Sequence, residues 1–107
     1  MKVVKTKMGK QDSNTATIEK VHISPPPRYN VIFHNDDITP MVFVVTVLKT
    51  IFDMNDKMAF KAMMDVHING KRIVGTYIKS IAETKVILTT QLAEQNGYPL
   101  QVTMEEE

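Results

Sequence analysis

The sequence predicts a small α+β domain with two layers, in which a three-stranded antiparallel sheet is covered by three helices in the order β-α-α-β-α-β. Two observations lead to this prediction. Three short segments alternate apolar and polar residues with the period of a strand, and three longer segments repeat apolar residues with the period of a helix. A length of 107 residues suits one domain of this kind together with a tail.

The chain begins with a segment that differs from the rest. Residues 1–24 show no hydrophobic periodicity and hold five lysines against two acidic residues. Such a composition is typical of a segment that cannot bury enough apolar surface to fold. Three consecutive prolines follow at residues 25–27, and a proline run is stiff and extended, so it marks a boundary. We therefore expect a flexible N-terminal arm over residues 1–24 and a folded domain over residues 25–107.

The first predicted elements are a strand and a helix. Residues 29–33 alternate as a strand, and the Asn-Asp-Asp sequence at residues 35–37 ends it, because these residue types favour turns. A helix is then predicted from Thr39, whose hydroxyl would cap the helix ahead of a proline at the first helical position. Apolar residues at helical spacing extend this helix to about Phe52.

The second predicted helix begins after Asn55 or Asp56 and runs to about Ile68. The Asn-Gly pair that follows supplies a glycine for the left-handed position that ends many helices. We therefore expect Gly70 to close this helix and to begin the turn into the next strand.

The remaining elements are a strand, a helix and a final strand. The second strand is predicted over residues 72–78, with Gly75 marking a bulge or a close approach. Ser80 and Glu83 have the spacing of a capping box, which predicts a third helix over residues 81–95. The last strand is indicated by alternating apolar residues, namely Leu100, Val102 and Met104. The three glutamates at residues 105–107 are expected to be a solvated end.

The composition excludes several classes of function. The net charge is +1 and there is no cysteine, which excludes a disulfide framework, a thiolate metal site and a cysteine nucleophile. The longest uninterrupted apolar stretch, residues 41–45, is far below the ~20 residues of a membrane-spanning helix. The first ten residues do not resemble a secretory signal, no glycine cluster could cradle a phosphate, and no aromatic platform accompanies the basic arm. We expect a cytoplasmic protein that binds no membrane, nucleic acid or cofactor.

Two places could carry chemistry, the Asn-Asp-Asp sequence at residues 35–37 and His67. The first could be a simple turn, or its carboxylates could bind a metal ion or an ammonium group. The second could be a histidine that only interacts with the end of its helix, although it also borders an apolar face. No Ser, Thr or Lys stands beside a base in a recognisable pattern, so an enzyme is not predicted. The alternative is a metal-dependent hydrolase with four functional residues: His34, Asp36, Asp37 and His67.

Three sequence segments occur in a specific order. They are YNVIFHNDDITPM at residues 29–41, MMDVHINGK at residues 63–71 and AETK at residues 82–85. In this order and spacing they resemble the ClpS family, the adaptor of the ClpAP protease, over residues 27–107. The resemblance implies a monomeric adaptor that binds substrate proteins whose first residue is Leu, Phe, Tyr or Trp. It would deliver them to the N-terminal domain of the ClpA AAA+ unfoldase.

The resemblance also implies roles for particular residues. The α-amino group of the substrate would be bound by Asn35, Asp36, Asp37 and His67. The first side chain would enter an apolar pocket formed by Ile38, Thr39, Met41, Val44, Met63, Val66 and Leu100. The unfoldase would dock at the start of the third helix, on Glu83, Thr84 and Lys85. The protonated α-amino group of the substrate carries several N–H donors and therefore needs several acceptors, which carbonyl, carboxylate and imidazole groups can supply.

Three residues depart from the family pattern. Ile38 stands where an aromatic residue is common, and Val42 replaces a frequent acidic residue on the first helix. Ser80 stands where some relatives carry glutamate. These departures concern the residue preference and the details of docking.

Overall fold

The computed structural model describes residues 24–107, so the predicted arm lies outside the described residues except for Ser24. The predicted order of elements is confirmed. Residues 24–27 form no regular structure and are exposed, which agrees with the expected effect of the proline run. The elements are β1 (Arg28–His34), α1 (Met41–Thr50), α2 (Asp56–Asn69), β2 (Lys71–Ile78), α3 (Lys79–Gln95) and β3 (Gln101–Glu106).

The sheet has the strand order β2-β1-β3, and both pairs of strands are antiparallel. In its central strand, β1, Val31 and Phe33 are fully buried in the core, but burial does not alternate as predicted, because Ile32 between them is also buried. The pairing of β1 with β2 shifts by one residue next to Gly75, which confirms the predicted irregularity. A Cβ atom at this glycine would collide with the Tyr77 ring, so the close approach of this ring requires a residue without a side chain.

The core is formed where α1, α2 and α3 meet the buried face of β1. Phe33 and Phe52 pack edge to face with their ring centroids 5.3 Å apart, an arrangement that aromatic pairs favour. The fully buried aliphatic residues of α1, Val47 and Leu48, belong to the same cluster. The core therefore fixes α1 beside α2, and the two helices form the walls of the cleft described below.

The limits of α2 agree with the sequence prediction. The Asn55 side chain accepts a hydrogen bond of 2.8 Å from the Met58 amide and caps the start of the helix. Gly70 adopts φ of 89° at the end, and its amide donates to the Val66 carbonyl. A left-handed residue at this position favours glycine, because a side chain would strain the backbone.

The predicted start of α1 is wrong by one residue. Pro40, not Thr39, occupies the N-cap position and makes no capping bond through its side chain. The Thr39 hydroxyl instead donates to the Asp36 carboxylate at 2.8 Å. The helix also ends at Thr50, two residues before the predicted limit of Phe52.

The predicted capping box of α3 is also wrong. Strand β2 runs directly into the helix, so the extended residue Ile78 takes the N-cap position and Lys79 begins the helix. Ser80 is therefore already inside the first turn, where its carbonyl accepts a bond from the Thr84 hydroxyl. A capping box needs its serine ahead of the first turn, so Glu83 has no partner of this kind.

The final strand is longer than predicted. Glu105 and Glu106, expected as part of a solvated end, remain exposed but belong to β3. Glu107 continues the pairing, since its amide donates to the Arg28 carbonyl at 2.8 Å and its carboxylate lies 3.3 Å from the Arg28 guanidinium. Within residues 24–107, no helix combines the length and the apolar character that crossing a membrane requires.

Two valine-to-alanine changes on α1 test the packing of the core. Val47 is fully buried, whereas Val42 is 73% exposed on the same helix. Val47→Ala is expected to lower the free energy of unfolding by about 2 kcal/mol, because it removes buried methyl groups and leaves a cavity. Val42→Ala is the matched control and should change it by less than about 0.5 kcal/mol. Urea denaturation followed by circular dichroism measures both, and equal losses would contradict the described orientation of α1.

Candidate functional site

One backbone hydrogen bond joins the two segments that the sequence analysis singled out. The Asn35 amide, just after β1, donates to the Gly70 carbonyl at 2.8 Å. Gly70 ends α2, and His67 lies in the last turn of the same helix. The bond therefore holds the Asn-Asp-Asp loop next to the histidine, although more than thirty residues separate them in the sequence.

A cleft lies where this loop, the first turn of α1 and the second half of α2 meet. It has a volume of about 170 Å³, and its polar side consists of residues from the loop and the last turn of α2, whereas its apolar side consists of residues from the facing helices α1 and α2. The polar lining consists of Asn35, Asp36, Asp37, Thr39 and His67. The apolar lining consists of Met41, Val44, Met63 and Val66.

Asp36 organises the loop that carries the polar lining. One carboxylate oxygen accepts from the amides of Ile38 and Thr39 at 2.8 and 2.7 Å, and the other accepts from the Thr39 hydroxyl at 2.8 Å. Burial of the Asp36 carboxyl alone would raise its pKa, but the hydrogen bonds from Thr39 and Ile38 outweigh it and hold the pKa below its usual value. The carboxylate therefore stays charged beside the cleft while it fixes the turn.

The other polar groups of the cleft remain open to a ligand. Asn35, Asp37 and His67 are all exposed, and they offer an amide oxygen, a carboxylate and an imidazole nitrogen as acceptors. None of the nine lining residues is lysine or arginine, whereas two are aspartate. The arrangement suits a cation that carries several N–H donors and stands next to an apolar group.

The structure brings together nine of the eleven residues that the sequence analysis assigned to the amino group and to the apolar pocket. Ile38 is 70% exposed beside the cleft and is not part of its lining. Leu100 is also not part of the lining. It is buried in the core and borders a separate depression near the end of α3. The binding roles of all eleven residues remain predictions.

The residues of the hydrolase alternative do not form one site. His34 donates to or accepts from the Thr103 hydroxyl at 2.7 Å across the sheet, and it does not line the cleft with the other three residues. Within residues 24–107, no three histidine or acidic side chains are grouped closely enough to hold a metal ion. The structure therefore gives the hydrolase alternative no support.

The predicted docking residues occupy two different environments on α3. Glu83 and Thr84 are exposed in its first turns. Lys85 is half-buried, and its ammonium group donates to the Ile51 carbonyl at 2.6 Å. The same ammonium group lies over the rings of Phe52 and Tyr77, 5.5 and 5.2 Å from their centroids. Lys85 thus links α3 to the end of α1, while its predicted contact with a partner remains untested.

Two features of the site were missed in the sequence analysis. The role of Asp36 as the acceptor for Ile38 and Thr39 could have been found, because aspartate often accepts from amides two and three residues later. The bond between Asn35 and the Gly70 carbonyl could not, since nothing in either segment indicates which distant loop will meet it.

Comparisons with known proteins agree on one family. The family model described as "ATP-dependent Clp protease adaptor protein ClpS" matches residues 24–103. The ClpS adapter protein of Desulfotalea psychrophila is 45% identical over 98 residues, which cover 92% of this chain and 96% of that protein. The ClpS adapter protein of Vibrio atlanticus is 46% identical over 88 residues, covering 82% and 83%.

A solved structure shows the same similarity in three dimensions. The structure of Agrobacterium tumefaciens ClpS2 bound to L-phenylalaninamide superimposes with a TM-score of 0.75 and 40% sequence identity. The match covers 78% of this chain and all of that chain. The shared fold therefore extends over the whole of the neighbouring protein.

The charge of Asp36 should make the stability of the loop depend on pH. Because its folded pKa is lowered, this stabilisation is present above its usual pKa, about 3.8, and is lost as the pH falls through the lower folded value. Asp36→Asn weakens charge-assisted hydrogen bonds and should reduce the free energy of unfolding by about 1 kcal/mol at pH 7. Urea denaturation of both proteins between pH 7 and pH 2.5 should show this difference shrinking below pH 4. If the difference in free energy of unfolding between the two proteins stayed constant with pH, the stabilisation would come from the shape of the Asp36 side chain and not from its charge.

Proposed function

This chain belongs to the ClpS family of adaptor proteins of the ATP-dependent Clp protease, and we propose that its cleft binds the first residue of substrate proteins. The observation that carries the proposal is the division of the cleft into a polar side rich in acceptors and an apolar side. A protein that begins with Leu, Phe, Tyr or Trp presents an ammonium group next to a large apolar side chain. The two sides of the cleft match these two parts of the ligand.

The polar side of the cleft is suited to a free α-amino group. A protonated α-amine has three N–H donors and one positive charge, and Asn35, Asp37 and a neutral His67 supply three acceptors. An internal peptide group has one N–H donor and no charge, so it would leave at least two of these acceptors without a partner. The site would thus distinguish the end of a chain from its interior.

The apolar side of the cleft is suited to one large side chain. The whole cleft, with its polar and apolar residues together, has a volume of about 170 Å³, which is similar to the ~150 Å³ of an engineered apolar cavity that binds benzene. A phenyl ring or a leucine side chain is therefore of the right size. The neighbouring solved structure supports this view, because its ligand, L-phenylalaninamide, has a free amine and a phenyl group.

We extend the proposal to the partner. The adaptor would dock on the N-terminal domain of the ClpA unfoldase through the exposed residues Glu83 and Thr84, with Lys85 fixing the start of α3 against α1. It would act as a monomer and perform no chemistry of its own. We also propose that it acts in the cytoplasm, and the absence of cysteine is compatible with this reducing compartment.

Binding of a labelled peptide that begins with Phe tests the proposed function. Fluorescence anisotropy should show micromolar binding of the free peptide, because a buried ring and a few charge-assisted bonds outweigh the costs of association by this amount. The N-acetylated peptide has no ammonium group and should bind at least tenfold more weakly. Equal binding of the two peptides would contradict recognition of the α-amino group.

Matched variants locate the contact within the protein. His67→Ala should weaken binding of the free peptide at least tenfold, whereas His34→Ala removes a histidine outside the cleft and should not. Asp37→Asn neutralises an acid of the cleft, and Glu94→Gln neutralises an exposed acid of α3 as its control. If both members of a pair had the same effect, the assigned residue would not contact the ligand.

The proposed division between arm and domain has its own test. Deletion of residues 1–24 should leave peptide binding unchanged, since the cleft lies entirely within residues 35–67. The same deletion should abolish degradation of a Phe-initiated substrate by reconstituted Clp protease, if the arm is needed for delivery. Loss of peptide binding would contradict the separation of the two functions. Unimpaired degradation would contradict a role of the arm in delivery.

A further inference from the structure

Three apolar side chains form a stripe along the exposed side of α2. Phe60, Met64 and Ile68 are spaced four residues apart, so they lie on one face of the helix. Phe60 is 58% exposed and Ile68 is 70% exposed, whereas Met64 is half-buried and packs against the core. We name Phe60, Met64 and Ile68 the α2 stripe.

The α2 stripe continues the wall of the cleft around the helix. Since a helix turns about 100° per residue, Phe60 and His67, which are seven residues apart, project within about 20° of each other. His67 and Met63 line the cleft, and each has a stripe residue three positions before it on the helix surface, Met64 before His67 and Phe60 before Met63. An apolar surface therefore extends from the cleft, past the histidine, onto the exposed side of α2.

The exposure of the α2 stripe distinguishes it from the rest of the helix. Ala59, Ala62, Met63 and Val66 form the buried face of α2, which accounts for its packing in the core. Phe60 and Ile68 contribute little to the stability of the described part of the chain, because most of their surface is in contact with water. A continuous exposed apolar surface next to a ligand cleft is typical of an interaction site.

We propose that the α2 stripe is a second subsite, which binds apolar side chains in the substrate segment directly after the first residue. This inference rests on the proposed function. With its first residue in the cleft, a substrate chain would leave past His67, which neighbours Met64 of the stripe on the surface of α2. The stripe is about 12 Å long at ~1.5 Å per helical residue, and about four extended residues at ~3.3 Å each cover that length.

The continuity with the cleft favours the substrate as the occupant over a separate partner. Any substrate held by its first residue brings its next residues close to the stripe without a further loss of translational freedom. Lys57 and Lys61 stand among the stripe residues on the same side of α2, and their alkyl chains can widen the apolar contact. Substrates with apolar residues between positions 2 and 5 should therefore bind more tightly than substrates with polar residues there.

Two labelled peptides test the subsite by anisotropy. Both begin with Phe; one continues with four serines, and the other has leucines at positions 3 and 4. The leucine peptide is expected to bind three- to tenfold more tightly to the unchanged protein, as partial removal of one or two leucine side chains from water implies. Equal affinity for the two peptides would overturn the inference.

Three variants assign the preference to the stripe. Phe60→Gln and Ile68→Gln change exposed residues to a good helix former, so the fold should be retained. Each should reduce the advantage of the leucine peptide by at least half, and affinity for the serine peptide should not change. Ile87→Gln alters an isoleucine on α3 that is 53% exposed and serves as the control. A leucine advantage that persists in the Phe60 and Ile68 variants would overturn the inference.

The N-acetylated forms of both peptides separate this inference from the proposed function. If acetylation leaves binding unchanged, the proposed function fails and the subsite fails with it. If acetylation abolishes binding but the leucine advantage is absent, the proposed function stands and the subsite is wrong. Reduced degradation of a full substrate by the Phe60→Gln variant, with unchanged peptide preference, would assign the stripe to another partner and would also overturn the inference.

Discussion

The hydrogen bond from the Asn35 amide to the Gly70 carbonyl joins the end of β1 to the end of α2. It continues the pairing of β1 with β2, in which His34 lies opposite Lys71, and so places the acceptors of the loop next to the imidazole of His67. Gly70 can present its carbonyl there because glycine adopts a φ of 89° without strain. The fold fixes both ends of this bond, since β1 is the central strand of the sheet and α2 packs in the core.

The two aspartates of the loop contribute to the cleft in different ways. The carboxylate of Asp36 accepts three hydrogen bonds from its own turn, and these bonds keep it charged. Asp37 is exposed and has its acceptors available to a ligand. The Asp36 carboxylate thus fixes the loop and contributes negative charge beside the cleft, whereas the Asp37 carboxylate can contact a ligand directly. A rigid loop of this kind reduces the ordering that a ligand must bring about when it binds.

The predictions made from the sequence were correct for those features of the fold that depend only on neighbouring residues. A start of α2 after Asn55, one of the two predicted positions, and its end at Gly70 were correct, because each depends on residues within one turn. The start of α3 was wrong, since Ser80 has the right spacing for a cap but β2 leads into the helix without a loop. The lining of the cleft was anticipated from a family resemblance and not from physical reasoning. Spacing along the chain could not show that the loop and α2 meet, or that Leu100 lies elsewhere.

The exposure of the polar acceptors limits the affinity of the cleft for a ligand. A limited affinity suits an adaptor, because an adaptor must release what it binds. Asn35, Asp37 and His67 stay in contact with water before a ligand binds, so they lose little solvation in forming the site. The same exposure screens the charge attraction to an ammonium group and keeps each contact modest. The apolar side of the cleft would then supply much of the affinity. Under the proposed function, a ligand would need both a free amine and a large apolar side chain to bind, and it could still be released to the next component.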